Sequence, residues 1–474
     1  MSEIPWRRRL LATSAAMLLV VAACGSGDNT GGGASAGAGG GASESAGASP
    51  AGGESPSGGE SPSGSGSAFQ PPAGNVDLKL WNAFTGPDGN FFKQIVDQFN
   101  SDNPNIKVTV ETQPGAEYTQ RLEAAASANQ LPDVMALGYD QIPLLTEEGI
   151  IAPLDDFAQA GGYGPDQFPE AVWNASRWKD QQMGVPFDVH PMILFYNKKL
   201  FTDAGLDPES PPTDTASFEA AIKAVQDKTD ADGLQMVASG PGANFLVGLV
   251  WATLFYQGGG QWTNEDYSQA TFNSEAGVQA STYLQHLVND LNVKKVESDA
   301  ELNAFLQGKN AMMFNGPWQL TAAQDALKDD LGVALVPKFF GDGDWAGSHT
   351  LHISPSAADG GDKQAAAYYF MDWFINHSVD WAGAGQVPAQ NDICASLEGK
   401  TEGVLPYIAQ IAPLAETVRF LPTIPGGGDL LFVANGAGEA GTLAINGSDP
   451  KETLDKAAQV NTEALQQNKE RYGY

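Results

Sequence analysis

The stretch Gly184–Lys199, GVPFDVHPMILFYNKK, most restricts how this chain can fold. Its two prolines, Pro186 and Pro191, lack a backbone N–H and have a fixed φ, so neither fits inside a central strand ladder. The apolar run MILFY that follows them has the length of a buried strand. The sequence therefore predicts a crossing connector that leads into a buried strand. Alternation places Asp188 and His190 on one face of that connector, where they can face a cleft.

The first 72 residues have the composition of an export signal and a tether. Three arginines precede the apolar run Leu10–Ala23, which is too short to span a bilayer and is typical of a secretory signal. Residues 24–72 are almost entirely Gly, Ser, Ala and Pro, so they offer little apolar surface to offset the entropy of folding. We therefore expect a signal over 1–23 and a flexible tether over 24–72, with Sec and twin-arginine export both open.

The end of the signal, VAACG, resembles the lipobox of bacterial lipoproteins. This resemblance implies that Cys24 is lipidated and anchors the chain at the outer face of the cell membrane. Cleavage after Ala23, which would release a soluble secreted protein, is the alternative. If Cys24 carries lipid, Cys394 has no intramolecular partner, because the chain has only two cysteines. A disulfide framework is then excluded.

The acidic excess of the chain excludes one large class of partners. The 474 residues carry a net charge of −32, and no basic stripe interrupts it. Such a surface repels phosphate backbones, so nucleic-acid binding is not expected. A chain of this length predicts two or three domains.

Strand and helix patterns alternate in the first part of the folded body. A strand pattern over 76–80, a helical pattern over 91–99 and a second strand pattern over 106–110 predict a β-α-β unit with parallel strands. Ligands of open parallel sheets lie beyond the carboxyl ends of the strands. Two predicted loops, Trp81–Gly86 and Gly138–Asp140, follow strands in this way. Later in the chain, Val333–Pro337 is predicted as a strand, Gly385–Gln390 as a loop, and the last helix as one that begins after an N-cap at Asp449 with Pro450 at its first position.

Five segments then occur in a fixed order: LKLWNAFTGPDG, LPDVMALGYDQIPLL, GVPFDVHPMILFYNKKLF, LQGKNAMMFNGPW and GQVPAQ. Together they resemble the extracellular solute-binding proteins of ABC importers, in particular the maltose-binding-protein-like group that binds sugars. The resemblance runs from about Val76 to the C-terminus. It implies a two-lobed α/β fold of the periplasmic-binding-protein type, in which each lobe has a mostly parallel sheet flanked by helices. Hinge strands join the lobes, which close on one solute.

The resemblance also implies where the chain passes between the lobes. The N-terminal lobe is expected to comprise 73–187 with 350–395, and the C-terminal lobe 188–349 with 396–474. The first crossing is then the proline-bracketed connector. The second and third are expected near Asp342–His349 and beyond Gln390.

A sugar site needs flat aromatic surfaces beside a few fixed hydrogen-bonding groups. Trp318, in the segment NGPW, is the aromatic candidate that the resemblance favours, and Trp81 follows a predicted strand. Trp251 is a third candidate, although it lies in an apolar helix where core packing is the alternative. Tyr139 is a weaker candidate. The resemblance implies four further contacts, Asp140, Gly347, Ser348 and Gln390. The other polar candidates follow from their positions near the first helix and on the connector: Asn82, Thr85, Asp188 and His190.

Each polar candidate has a structural alternative. Asn82 and Thr85 can cap the first helix, and Asp140 can be an ordinary surface carboxylate. Asp188 and His190 can make structural hydrogen bonds at the hinge.

Metal and catalytic patterns are weak. His349 and His352 are three residues apart in a strand-like stretch, so their side chains point to opposite faces, which argues against a shared zinc site. The GxSxG match at Gly33–Gly37 lies in the tether, and the GxGxxG match at Gly436–Gly441 lacks the acidic residue expected after a second strand. We therefore predict no enzyme activity, no cofactor and no metal.

The resulting hypothesis is a monomeric, lipid-anchored carbohydrate receptor that delivers its solute to the permease subunits of an ABC importer. Glycerol phosphate or another small anion is the alternative ligand, although the arginines after the signal lie outside the proposed binding loops. A secreted glycoside hydrolase is a more remote alternative, in which Asp140 and Asp188 would be the paired carboxylates. A surface adhesion protein is a third class.

Overall fold

A computed structural model of the chain describes residues 68–240 and 243–474. The predicted signal, Cys24 and nearly all of the tether lie outside these residues. The strands are β1 (Val76–Asn82), β2 (Ile106–Thr112), β3 (Val134–Gly138), β4 (Arg177–Trp178), β5 (Gln181–Gln182), β6 (Val185–Pro186), β7 (Asp188–Pro191), β8 (Ile193–Asn197), β9 (Asp232–Ser239), β10 (Lys294–Glu297), β11 (Asn310–Asn315), β12 (Leu331–Leu335), β13 (Ala346–Gly347), β14 (His349–Ile353) and β15 (Val387–Pro388).

The helices include a C-terminal one whose N-cap, Asp449, accepts a hydrogen bond from the Glu452 N–H as the sequence predicts. Among the described residues, no helix combines the length and the apolar character that crossing a membrane requires. They are α1 (Asp88–Asp102), α2 (Tyr118–Ser127), α3 (Ile142–Glu147), α4 (Asp155–Gly161), α5 (Glu170–Ala175), α6 (Lys198–Asp203), α7 (Thr215–Lys228), α8 (Ala243–Gln257), α9 (Glu275–Asn289), α10 (Ala300–Leu306), α11 (Leu320–Leu327), α12 (Gly361–Asn376), α13 (Ser378–Ala382), α14 (Asn391–Ala395), α15 (Leu405–Ile411), α16 (Asp429–Phe432), α17 (Ala437–Ile445) and α18 (Pro450–Tyr472).

The first sheet has the strand order β2-β1-β3-β14-β6. β1 pairs in parallel with β2 and β3, and α1 connects β1 to β2, so the predicted β-α-β unit is confirmed. The predicted end of β1 is wrong by two residues. Trp81 and Asn82 continue the strand and pair with Glu111 and Thr112 of β2, because the ladder extends past the point where apolar alternation stops.

The second sheet has the order β10-β9-β11-β8-β12, with β8 antiparallel to both of its neighbours. Every residue of β8 is buried. Ile193 and Phe195 pack into one core cluster, whereas Leu194 and Tyr196 pack into the other. A strand with both faces covered needs apolar residues at consecutive positions, which explains the run MILFY. β12 begins and ends two residues before the predicted strand Val333–Pro337.

A third, small sheet connects the other two. β6 belongs to the first sheet, β7 lies in the middle of the order β13-β7-β15, and β8 belongs to the second sheet. Pro186 is therefore in an edge strand and Pro191 is the last residue of β7, as the missing N–H groups require. The segment GQVPAQ, predicted as a loop, contains β15, which pairs with β7. This prediction was wrong because so short a strand has no periodicity.

Candidate functional site

Asp188 of β7 is the centre of a buried hydrogen-bond network. Its Oδ1 accepts the backbone N–H of His349 at 2.8 Å and lies 3.2 Å from Nδ1 of His190. Its Oδ2 accepts Nε1–H of Trp381 at 2.7 Å and lies 2.7 Å from Nδ1 of His349. An ionised carboxylate can only accept hydrogen bonds, so both imidazoles donate through Nδ1.

The charge state of Asp188 follows from these partners. Burial raises the pKa of this carboxyl group, but the charge of His349 and the hydrogen bonds from both histidines outweigh burial and hold the pKa far below its usual range. Asp188 is therefore ionised in the folded protein, although its side chain has no exposed surface. The surrounding N–H donors compensate for the missing water.

The strands bring four of the predicted residues to this network. The side chains of Asp188 and His190 meet on one face of β7, as alternation predicts. Gly347 of β13 pairs with His190, and the hydroxyl of Ser348 donates to the Asp188 carbonyl at 2.7 Å. A Cβ on Gly347 would lie 2.1 Å from Nε2 of His190, so the ring occupies the space above this glycine.

The two imidazoles lie side by side, with ring centroids 4.4 Å apart. Burial and the neighbouring charge of His349 lower the pKa of His190, and Asp188 only partly opposes them. For His349, burial lowers the pKa, but the charge and hydrogen bond of Asp188, with the charges of Asp88 and Asp140, outweigh burial and raise it. The pair therefore combines a neutral ring with one that gains a proton more readily.

Asp140, after β3, interacts electrostatically with His349. The residue as a whole is partly exposed, and its carboxylate packs against the turn at Gly428, where a Cβ would lie 2.5 Å from Oδ2. Burial and the charge of Asp429 raise the pKa of Asp140 to about 6, although its own backbone N–H and His349 oppose the shift. Asp140 therefore changes its charge state near pH 6.

Trp318 lies next to the histidines, with its ring centroid 5.9 Å from that of His190. It also lines a cavity of about 220 Å³, which leaves room for a solute beside the indole. The other residues of this cavity are Phe245, Leu246, Ser298, Asp299, Glu301, Leu302, Asn315 and Gln319.

Further aromatic residues, which the sequence pattern did not single out, extend this surface. The ring of Trp345 is 6.2 Å from His190 and 6.2 Å from Phe432, which in turn is 5.3 Å from Phe245. Within the described part of the chain, Nε1 of Trp345 is buried without a hydrogen-bond partner. His349 was also missed, because its spacing from His352 was considered only for zinc binding. The sequence could have indicated Trp345 and His349 because both lie beside the predicted Gly347 and Ser348 in the segment WAGSH.

Other predicted residues lie elsewhere. Trp251 has no exposed surface, its ring stacks on Phe255 at 4.8 Å, and its Nε1–H donates to Ser281. These are the contacts of the core-packing alternative, so we leave Trp251 out of the proposed site. Trp81 is partly exposed and donates its Nε1–H to Glu111 at 2.8 Å.

The remaining polar candidates have local partners or none. The side-chain oxygen of Asn82 accepts the N–H of Phe84, and Thr85 is exposed in the loop before α1. Gln390 is buried, and its Oε1 has no hydrogen-bond partner among the described residues. The hydroxyl of Tyr139 accepts the N–H of Leu421. Their roles in binding stay predictions.

A larger groove of about 920 Å³ lies beside the loop Gly341–Asp344 and the segment Glu416–Arg419. None of the predicted site residues lines it. We assign the site to the region around Trp318, His190 and His349, where an aromatic face lies close to oriented polar groups.

The ligand atoms of Asp188, His190 and His349 lie within 4.8 Å of one another, a spacing that suits a divalent metal. However, each oxygen of Asp188 already faces two N–H donors. A metal would have to displace both imidazole protons, so the arrangement is better suited to orienting the two rings.

Comparison with known proteins agrees with this architecture. The family profile described as bacterial extracellular solute-binding protein matches residues 84–381. The maltotriose-binding protein of Pyrococcus abyssi is 20% identical over 70% of this chain and 70% of its own length. The diacetylchitobiose binding protein DasA of Streptomyces coelicolor is 27% identical over 67% of this chain and 73% of its own length.

Among solved structures, the GacH receptor of Streptomyces glaucescens, determined without ligand and with acarbose, superposes with a TM-score of 0.71. The two proteins are 24% identical, and the match covers 82% of this chain and 98% of GacH. The predicted fold class and family are thus confirmed. The chain belongs to the bacterial extracellular solute-binding protein family and has its two-lobed, periplasmic-binding-protein-like α/β fold.

Proposed function

We propose that this protein is an extracellular receptor that captures a carbohydrate, a disaccharide or oligosaccharide, for an ABC importer. The observation that carries the proposal is the convergence of Trp318, His190 and His349 at the strands that join the two sheets. An indole face matches the C–H face of a sugar ring, and imidazole nitrogens match its hydroxyl groups. The relatives named for maltotriose and diacetylchitobiose support this class of solute.

The charges around the site favour a neutral solute over glycerol phosphate. Asp88, Asp140 and Asp188 all act on His349, and Asp429 acts on Asp140. An anion bound here would face several carboxylates, with at most one protonated imidazole in compensation. A neutral sugar does not meet this repulsion.

Delivery to a permease would follow from closure of the two lobes about the strands β7, β13 and β15. Binding energy would come from contacts that exist only when both lobes touch the solute. In this proposal Cys24 is lipidated and the tether keeps the receptor near its permease subunits. No bond in the solute is made or broken.

A thermal-shift panel tests the proposal. Purified protein is heated with monosaccharides, disaccharides, oligosaccharides, glycerol phosphates and amino acids, and the melting temperature is recorded for each. A solute at about 100 times its Kd is expected to add about 2.7 kcal/mol to the free energy of unfolding. Stabilisation by a phosphate or an amino acid, with none by any carbohydrate, would refute the sugar assignment. Release of nitrophenol from chromogenic glycosides would refute the receptor role in favour of a hydrolase.

A further inference from the structure

The carboxylate of Asp188 has no lone pair left for a solute. The backbone N–H of His349 donates to Oδ1, and the indole N–H of Trp381 donates to Oδ2, so one acceptor position on each oxygen is occupied. Nδ1 of His190 and Nδ1 of His349 occupy the other two. Because Asp188 also has no exposed surface, its contribution to a binding site must pass through the two imidazoles.

The outer nitrogens of those imidazoles have no such partners. Neither Nε2 of His190 nor Nε2 of His349 makes a hydrogen bond to any residue that the structure describes. Both side chains keep exposed surface, 11% for His190 and 22% for His349. A buried carboxylate that fixes the inner nitrogen sets the tautomer and the ring orientation, and so determines what the outer nitrogen offers.

We propose that Asp188 is a positioning residue that keeps the Nδ1 proton of both rings on the inner side, so that His190 and His349 present Nε2 to hydroxyl groups of the solute. The inference rests on the proposed function and adds the residues that distinguish one hydroxyl pattern from another. Rings 4.4 Å apart can contact two hydroxyl groups on neighbouring carbons of one sugar ring. The ligand class is therefore a neutral sugar with an unsubstituted diol facing β7.

The tautomers can be measured without any solute. Long-range ¹H–¹⁵N correlation spectra of protein labelled at histidine distinguish a proton on Nδ1 from one on Nε2. At a pH above the titration of both rings, we expect His190 and His349 to carry the proton on Nδ1. A proton on Nε2 of either ring would overturn the positioning role of Asp188, whatever the protein binds.

Paired substitutions test the contact with the solute. The Asn amide nitrogen can take the place of Nδ1, so His349→Asn keeps the bond to Asp188 and removes the outer contact. The Gln amide reaches the place of Nε2, so His349→Gln keeps the outer contact instead. We expect His349→Asn to raise the Kd for the sugar identified in the panel about tenfold or more, and His349→Gln to raise it less. His190→Asn should behave like His349→Asn.

His377→Asn is the matched control, because His377 bonds the Trp373 carbonyl in α12 and lies outside the site. It should bind with unchanged Kd. Unchanged Kd in both His190→Asn and His349→Asn would overturn the inference and leave the proposed function intact. Absence of any carbohydrate response in the wild-type protein would refute the proposed function instead. Tight zinc binding by the wild-type protein that is lost in both His190→Asn and His349→Asn would indicate a metal site and overturn the inference.

Discussion

At position 347 the lack of a side chain decides where the His190 ring can lie. The backbone of β13 passes directly under the ring, and the pairing of Gly347 with His190 fixes that distance. No other residue type leaves this space empty. The glycine therefore belongs to the site through the room that it leaves, in addition to any backbone contact with a solute.

Gly347→Ala is expected to displace His190. The new methyl group would lie within 2.1 Å of Nε2, so the ring must rotate away and lose its bond to Asp188. Because a side chain moves more readily than the strand, we expect solute affinity to fall about tenfold while the fold is kept. Isothermal titration calorimetry measures the change.

The control for this substitution is Gly115→Ala, where an added Cβ meets nothing within 4 Å. It should leave Kd unchanged. Equal affinity of Gly347→Ala and the wild-type protein would show that the ring position does not matter for binding.

Asp140 makes the stability of the folded protein depend on pH. Its pKa of about 6 lies above the ordinary aspartate value of 3.8, so the folded state holds the proton more tightly than the unfolded state. Between these two values folding takes up a proton, and the contribution of Asp140 to stability falls as pH rises. Above about pH 6 the contribution stays constant.

Asp140→Asn removes this proton uptake. The melting temperature of the variant relative to the wild-type protein should rise from pH 4 to pH 6 and then level off. Differential scanning calorimetry across pH 4 to 7.5 measures it. Asp166→Asn, at an exposed position, is the control and should show a smaller pH dependence. A difference that is constant from pH 4 to 7 for Asp140→Asn would contradict the assignment.

At the scale of elements, the short strand β7 depends on groups from distant parts of the chain. β13 and β15 flank it, β14 supplies His349, and α13 supplies the indole of Trp381. These contacts compensate the buried charge that β7 carries. Removing one donor leaves a charge under-solvated, which costs more than the bond itself contributes.

Trp381→Phe is expected to lower the free energy of unfolding by about 2–4 kcal/mol, since it removes a hydrogen bond to a buried carboxylate and leaves a small cavity. Chemical denaturation monitored by circular dichroism measures this loss. Trp373→Phe in α12 is the matched control: Trp373 is half-buried, and no hydrogen bond to its indole is seen among the described residues, so the cost should be smaller. Similar costs for the two variants would contradict the role of the indole N–H.

Local sequence could predict the elements that have their own periodicity. The β-α-β unit, the apolar strand β8 and the capped helix α18 follow from such patterns, and the two prolines indicate the connector. The site was predictable only in part. His349 lies 161 residues from Asp188 in the chain, and nothing local to either residue indicates that they pair. Trp251 and Trp345 are both buried tryptophans, and only tertiary packing separates the core residue from the one beside His190.

At the scale of the whole molecule, the net charge of −32 distinguishes the two candidate classes of solute. A negative potential of this size repels an anion, and dissolved salt screens that repulsion. A neutral sugar has no net charge for this potential to act on.

The affinity for a neutral sugar should therefore change less than about twofold between about 20 and 500 mM NaCl, whereas the affinity for glycerol phosphate should strengthen as salt screens the charge. Titration calorimetry at the two salt concentrations measures both. Potassium chloride in place of sodium chloride is the control for specific ion effects. A carbohydrate whose Kd improves strongly with added salt would contradict binding as a neutral molecule.

The position of β14 also affects how the chain is made. β14 lies between β3 and β6 in the first sheet, although it comes after the whole second sheet in the chain. The first sheet thus has an unpaired gap until the ribosome has passed residue 353. Sheets whose strands are far apart in the sequence fold slowly, because non-local pairing costs loop-closure entropy. Late closure would keep the nascent chain partly unfolded for longer, which is the state that chaperones bind.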